Sequence, residues 1–387
     1  MKKVKYEIKK GLVKLLGNEK TQFIAIPVFS IIISLIAGSV VIALTGGSPF
    51  HAFKNLLQGC GILSKPSYAG FKSPLTDFTS FLNAMTPMLF AALAVSLALK
   101  AGLFNIGVSG QMLTAGFIAS ITVGYAASLP APLAKLLVLL IGLAVGMLVG
   151  GLIGFLKHKF NINEVVSSIM LNYIAQYIIA FFINTKYVDP VSRQSKEVTD
   201  ASRLTLMGTE VGDLKIDIPL GIALAVIAAF LLRFLIQRTT AGFEIKAVGA
   251  SPKAAKYAGM NVGKNIVLTM MISGGLAGLA GVTYFLGYFA SIQPKVLPST
   301  GFDAIAVAIL GNANPIGNIF SSFLITILSK GSTYMSSAGG VQAEIASVIT
   351  GIILLCSACG VFIRDWVSKM KEEISEEAKD AQKQEVH

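Results

Sequence analysis

Polar side chains set at helical spacing inside long apolar runs are the residues of this chain able to do chemistry, and that chemistry is hydrogen bonding. Glu164, Ser168, Asn172 and Gln176 recur every fourth residue and form one ribbon on an otherwise apolar helix. A polar group facing lipid is costly, so the ribbon faces either protein or a water-filled path. Interhelical hydrogen bonding and pathway lining both satisfy it. Glu164 stands near a helix start, where a carboxylate also suits the positive end of the dipole. Asn105, Ser109 and Gln111 interrupt the connection between two apolar runs. Irregular backbone at membrane depth is tolerated only where protein or a cavity covers it. Asp303, Asn312 and Asn314 play the corresponding part further along, and Asp303 equally suits a helix start. The amides Asn105, Gln111 and Asn172 can both donate and accept.

Covalent chemistry finds no support. Gly263-Lys264 has Ala258 where a P-loop needs its first glycine and Asn265 where it needs Ser or Thr, so ATP binding is not expected of this chain. There is no H-E-x-x-H motif, and His51, His158 and His387 lie far apart. Three cysteines make no disulfide framework, and Cys356 and Cys359, though spaced like a redox pair, sit in an apolar run as small packing residues. No cofactor or metal is expected. Charged groups inside the apolar runs are too few for an ion-driven relay.

The elements that position these residues are membrane helices. Hydrophobic residues make up 54% of the chain and charged ones 13%, and the mean hydropathy is +0.71. This balance belongs to an all-α polytopic membrane protein. A window of about 20 residues places spans at 22–44, 78–99, 111–126, 131–156, 163–182, 216–236, 265–289, 316–328 and 343–363. Residues 301–310 are apolar but too short to cross as a regular helix. Polar loops are expected at 45–76 and 184–215. With 301–310 counted as the eighth of ten membrane elements, about two thirds of the 32 Lys and Arg residues fall on the side of the N-terminus, which puts both ends in the cytoplasm. Hence the expected division: a cytoplasmic segment 1–21, a transmembrane domain 22–363 and a charged tail 364–387. No small-residue cleavage site follows the first apolar run, so it reads as a retained span. Gly142, Gly146, Gly150 and Gly154 line one face of the fourth span and let another backbone approach closely. Residues 103–120 and 302–322 have related layouts, and an odd number of spans per half would invert one half against the other.

The polar loop 239–264 is too patterned to be slack. Ser251 is placed to cap a helix with Pro252 at its first position, Lys253 to Ala258 favour helix, and Gly259 can close it with a positive φ. A helix of about two turns is marginal alone in water, so it should dock on something.

Four of these segments carry a family resemblance. Gly102-Leu103-Phe104-Asn105-Ile106-Gly107, with Gly110-Gln111, resembles the GLFNIG-x-x-GQ segment of bacterial ATP-binding cassette (ABC) permeases for nucleosides and simple sugars. Asn163-Glu164-Val165 followed by Met170-Leu171-Asn172-Tyr173 resembles their NEV…MLNY segment. Ala247-Val248-Gly249-Ala250-Ser251-Pro252-Lys253-Ala254-Ala255 resembles their cytoplasmic loop, and Gly301-Phe302-Asp303-Ala304-Ile305-Ala306-Val307 their GFDGIAV segment. Lys246, Ser251 and Ala304 depart from the usual Arg, Asn and Gly. The resemblance is greatest to the larger permease subunit of nucleoside importers. It implies a type II importer-like architecture built from inverted repeats, forming one half of a channel in the cell membrane. It further implies a second permease, cytoplasmic ATPase subunits that bind the ATP, and an extracellular lipoprotein that delivers a small-molecule substrate; no nucleic acid polymer is involved. Nucleosides are the substrate so implied, with simple sugars as the alternative and an ion-coupled transporter as the rival class. On this reading Ser251, Pro252, Lys253, Ala254, Ala255 and Lys256 form the ATPase coupling helix. Asn105, Gln111 and Asn172 line the substrate pathway, and Phe104, Tyr173 and Phe302 offer rings for stacking.

Overall fold

The computed structural model describes residues 22–358 and 366–371, apart from 69, 71, 127–128, 212–213, 340–341, 343 and a few side chains. The segment 1–21, Cys359 and the tail, other than a helical stretch at 366–371, lie outside the described residues. The protein is nearly all helix. Its helices are α1 (Gln22–Leu44), α2 (Pro49–Gly59), α3 (Pro74–Lys100), α4 (Val108–Ala119), α5 (Ala131–Phe160), α6 (Glu164–Phe182) and α7 (Leu220–Arg238). There follow α8 (Thr240–Ala250), α9 (Pro252–Tyr257), α10 (Val262–Thr283), α11 (Thr300–Leu310), α12 (Pro315–Gly339) and α13 (Glu344–Ala358). Six helical stretches are long and apolar enough to cross a membrane, and Val108–Gly124, Thr300–Leu310 and Glu344–Ile353 are shorter apolar helices.

Several boundaries differ from the sequence expectation. The first polar loop contains α2, whose buried Ala52 and Leu56 lie one helical turn apart. The second contains an antiparallel hairpin, β1 (Thr205–Val211) with β2 (Leu214–Pro219), so the sixth span starts at Leu220 rather than residue 216. The ninth apolar element continues to Gly339 rather than ending at 328. The break at Gly311–Asn314 follows the half-helix α11, whereas the break at 101–107 precedes α4. The helices α4, α6 and α10 each pass into a π-helical turn, at Ser120–Gly124, Ile183–Tyr187 and Tyr284–Phe289.

The chain forms two compact units. In the first, made of residues 1–49 and 344–387, α1 packs on α13, with Ile349 filling the space a side chain at Gly38 would take. The second, residues 50–343, is organised by α3 and α10. From Met85 to Ala98, α3 is buried on every side, which its run of alanines and leucines permits. The helix α10 crosses α5 through glycines. A Cβ at Gly146 would overlap the Gly274 carbonyl oxygen, one at Gly150 the Met270 oxygen, and one at Gly278 the Gly142 oxygen. Backbone meets backbone there, the small-residue packing that drives helix association in lipid. Gly146→Leu should therefore prevent close approach at a cost of about 1–3 kcal/mol or more. It is expected to leave little monodisperse protein by size-exclusion chromatography in detergent. Leu148→Ala, on the exposed face of the same helix, should leave that peak unchanged.

Candidate functional site

The site is built around the break between α3 and α4. Gly102 takes φ +67° and turns the chain out of α3, with the Leu103 N–H donating to the Ala98 carbonyl at 3.0 Å. Asn105 then ties the irregular stretch together. Its Oδ1 accepts from the Gly107 N–H at 3.0 Å and from Gln111 Nε2 at 3.3 Å. Its Nδ2 donates to Gln111 Oε1 at 3.1 Å and to Ser273 Oγ at 2.9 Å, and Ser273 Oγ donates to the Ala94 carbonyl at 2.7 Å. Every donor and acceptor of this amide is used, as a residue only 1% exposed requires. Asn172 reaches in from α6. Its Oδ1 accepts from the Gly110 N–H at 2.9 Å, one of the unpaired donors at the start of α4, and its Nδ2 donates to the Ile106 carbonyl at 3.1 Å. Ser109 Oγ donates to the Pro298 carbonyl at 2.9 Å, and Ser109 occupies the space beside Gly301. The starts of the two half-helices α4 and α11 therefore touch.

The rest of the polar ribbon also turns toward protein. Glu164 pairs with Lys157, and Gln176 Nε2 donates to the Lys295 carbonyl. Ser168 Oγ is buried without a partner. In the second half, Asn312 and Ala313 take left-handed φ values in the turn after α11, and Asn314 caps α12 through the Ile316 N–H at 3.0 Å. Asn318 Nδ2 donates to Ser96 Oγ at 2.6 Å and to the Ala92 carbonyl at 3.2 Å, which binds α12 to α3 as Ser273 binds α10. Of the aromatic candidates, Tyr173 and Phe302 are exposed and Phe104 is partly so.

A cavity of about 540 Å³ lies at the Asp77 end of α3. Its chemically active walls are Lys65, Asp77, Tyr288, Asp303, Lys330 and Tyr334, interspersed with hydroxyls. Lys65 Nζ lies 2.6 Å from Asp77 Oδ2, an ion pair by distance although that oxygen is approached away from its hydrogen-bonding direction. The same ammonium stands 4.7 Å from the centre of the Tyr334 ring. Lys330 Nζ donates to Tyr288 Oη at 2.8 Å and stands 4.9 Å from the Tyr288 ring centre. Asp303, the one cavity group that stands out in the sequence, has no hydrogen-bond or ion-pair partner for its carboxylate among the described residues, though the Tyr284 phenol lies close enough to feel its charge. A signal for the rest is present in α12. Ser329, Thr333 and Ser337 recur every fourth residue, with Lys330 and Tyr334 beside them.

The loop 239–264 holds two helices, of which α9 follows the sequence expectation. Ser251 Oγ accepts from the Ala254 N–H at 3.3 Å, Pro252 opens the helix, and Gly259 follows it with φ +81°. The preceding α8 has no counterpart in that expectation; Thr239 caps it through the Gly242 N–H at 3.1 Å. On α9, Ala255 is buried while Pro252, Lys253, Ala254, Lys256 and Tyr257 are exposed. On α8, Gly249 lies against the end of α3, where a Cβ would overlap the Lys100 carbonyl oxygen. Glu244 accepts from Asn265 Nδ2 of α10 at 2.7 Å. The two short helices thus rest on the Lys100 end of α3 and the start of α10, while the cavity lies where α3 begins and α10 ends.

The family model described as branched-chain amino acid transport system / permease component matches residues 78–358. The guanosine ABC transporter permease protein NupP of Bacillus subtilis is 34% identical over 92% of this chain and 98% of its own length. The nucleoside ABC transporter permease protein NupB of Lactococcus lactis is 32% identical over 92% and 96%. The glucose ABC transporter permease protein TsgB13 of Haloferax volcanii is 28% identical over 85% of each chain. No solved structure matches significantly. These matches agree with the geometry, which holds helices long and apolar enough to cross a membrane. The chain belongs to the branched-chain amino acid transport system permease family and is a membrane-embedded permease subunit of an ABC importer, not an enzyme.

Proposed function

We propose that this permease carries nucleosides across the cytoplasmic membrane, driven by ATPase subunits that dock on the exposed face of α9, with α8 passing the movement on to α3. The carrying observation is the opposition of the two sites. The cavity and the helices α8 and α9 stand at opposite ends of the two buried helices α3 and α10. Asp77 and Lys100 are separated by about 35 Å along α3 at 1.5 Å per residue, enough to cross a hydrocarbon core. With the basic loops inside, the cavity faces outward, toward a lipoprotein receptor, and α9 faces the cytoplasm. The six long spans, the three shorter apolar helices and α12 support ten membrane elements with both termini cytoplasmic. A second permease completes the channel. The nucleoside reading is supported by the relatives NupP, named for guanosine, and NupB, named for nucleosides, and by the tyrosines and hydroxyls that wall the cavity.

Asn105, Gln111 and Asn172 serve the pathway by fixing the wall at its break. Phe104, Tyr173 and Phe302 are its candidate rings when the second permease is in place. Ser251, Pro252, Lys253, Ala254, Ala255 and Lys256 form the coupling helix, with Ser251 capping it, Ala255 seated on this chain and Pro252, Lys253, Ala254 and Lys256 exposed to meet the ATPase.

Uptake by cells expressing the transporter tests the substrate. Labelled guanosine should accumulate, stop when ATP is depleted, and continue when the proton gradient is collapsed. Accumulation of glucose or ribose without nucleoside would move the assignment to a sugar permease. Orientation is tested with native cysteines replaced. Ser67→Cys should react with an impermeant thiol reagent on whole cells, and Tyr257→Cys, 95% exposed, only after permeabilisation.

A further inference from the structure

We infer that the cavity is a binding subsite for an uncharged ribonucleoside, with the Asp303 carboxylate accepting the ribose 2′ and 3′ hydroxyls and the Tyr288 ring taking the base. The inference rests on the nucleoside reading and adds the groups that would recognise the substrate.

Charge comes first. The cavity's formal charges balance, Lys65 and Lys330 against Asp77 and Asp303. Lys65 and Asp77 are already paired with each other. Lys330 is held by Tyr288 through both the phenol oxygen and the ring face. That leaves Asp303 as the acidic group with no hydrogen-bond or ion-pair partner among the described residues, with the Tyr284 phenol nearby. A phosphorylated ligand would bring extra negative charge into a cavity whose two cations are already matched by two carboxylates. A neutral ligand with two adjacent hydroxyl donors suits it, since a carboxylate has two oxygens and accepts only.

The aromatic groups supply the second half of recognition. Tyr288 and Phe289 pack edge to face at 4.6 Å, and Phe289 lies 4.8 Å from Tyr284, so these rings support one another at the π-helical end of α10. Lys330 fixes the Tyr288 ring further. A planar base can stack on such a ring. Ser299 and Thr300 add hydroxyls on the same short stretch as Asp303, so one segment presents several groups to the sugar.

The test measures uptake of guanosine, 2′-deoxyguanosine and ribose by the complete transporter, with the amount of complex in the membrane quantified for each variant. The receptor is common to all, so changes relative to wild type report on this chain. Asp303→Asn should raise the KM for guanosine about tenfold, as expected for a lost charge-assisted hydrogen bond, and change that for 2′-deoxyguanosine by less than about threefold. Asp303→Glu keeps a carboxylate and should retain much of the wild-type preference for the ribonucleoside. It also covers the case in which the Asn variant fails to assemble. Tyr288→Leu should raise the KM of both nucleosides together. Equal effects of Asp303→Asn on the two nucleosides, no effect on either, or loss of the preference in an assembled Asp303→Glu variant would overturn the subsite. Uptake of ribose but not guanosine by the wild type would instead overturn the nucleoside reading on which it rests.

Discussion

Gly249→Val should cut nucleoside uptake by about tenfold to a hundredfold, the usual range of a coupling free energy between sites, while the transporter keeps its ATPase subunits and hydrolyses ATP. Gly249 has α3 backbone on the side where a Cβ would go, overlapping the Lys100 carbonyl oxygen and pressing on Ala101. Valine would force α8 away from the end of α3. That end leads directly into Gly102, whose own missing side chain faces Gly249, and on into the stretch gathered by Asn105. From there Ser109 contacts Pro298 and Gly301, and Asp303 follows two residues later in the cavity wall. A push on α8 therefore has a continuous packed route to the cavity, through contacts that leave no room to absorb the movement. The docking face of α9 lies elsewhere, so ATPase binding should survive. Ala254→Glu supplies the contrast. Ala254 is exposed on α9, and a glutamate there should reduce the ATPase that copurifies rather than separate hydrolysis from uptake. The decisive measurement is ATPase retained, ATP hydrolysed and nucleoside taken up on one preparation of each variant. Normal uptake by Gly249→Val would remove α8 from the coupling route.

Features written in adjacent residues are legible in the sequence alone. The helix α9 is one, because Ser251, Pro252 and Gly259 each act on backbone within a few positions. The glycine face of α5 is another, because its period is that of the helix. The amides Asn105, Gln111 and Asn172 stand out as polar residues in apolar surroundings. That pattern does not say whether they face protein or water, and only the positions of Ser273, Gly110 and Ile106 decide it for this conformation. The cavity is hidden for a different reason. Lys65, Asp77, Tyr288, Asp303 and Lys330 come from separate stretches that meet only when α3, α10, α11 and α12 pack. The same polar stripe shortens the expected ninth span, since Ser329, Lys330 and Ser332 lower the hydropathy where α12 continues. The hairpin at Thr205–Pro219 escapes because β2 abuts a membrane helix and its apolar residues merge with that helix in any window average.

Asn105→Leu should lose most of the folded complex from the membrane, and Asn172→Leu a smaller share, with uptake per remaining complex close to normal. Removing the Asn105 amide leaves the Gly107 N–H, the Gln111 side chain and Ser273 without their partner, all in a region water does not reach. Each buried group stripped of its partner costs about 1–3 kcal/mol, and that total rivals the net stability of a typical fold, about 5–15 kcal/mol. Asn172→Leu strands the Gly110 N–H and the Ile106 carbonyl, one donor and one acceptor, so its effect is smaller. Leucine also cannot sit where the Asn172 amide lies against Gly110, which has no side chain to yield. If these amides instead met the substrate during transport, the variants would assemble in normal amount and carry nucleoside slowly. Asn105→Asp discriminates further. It keeps an acceptor for the Gly107 N–H but loses the donor that reaches Gln111 and Ser273, so assembly should fall between wild type and Asn105→Leu. Quantifying tagged complex by in-gel fluorescence beside initial uptake rates on the same membranes separates the two outcomes. A full complement of complex with slow uptake would show that the pathway reaches these amides in a state other than the one described.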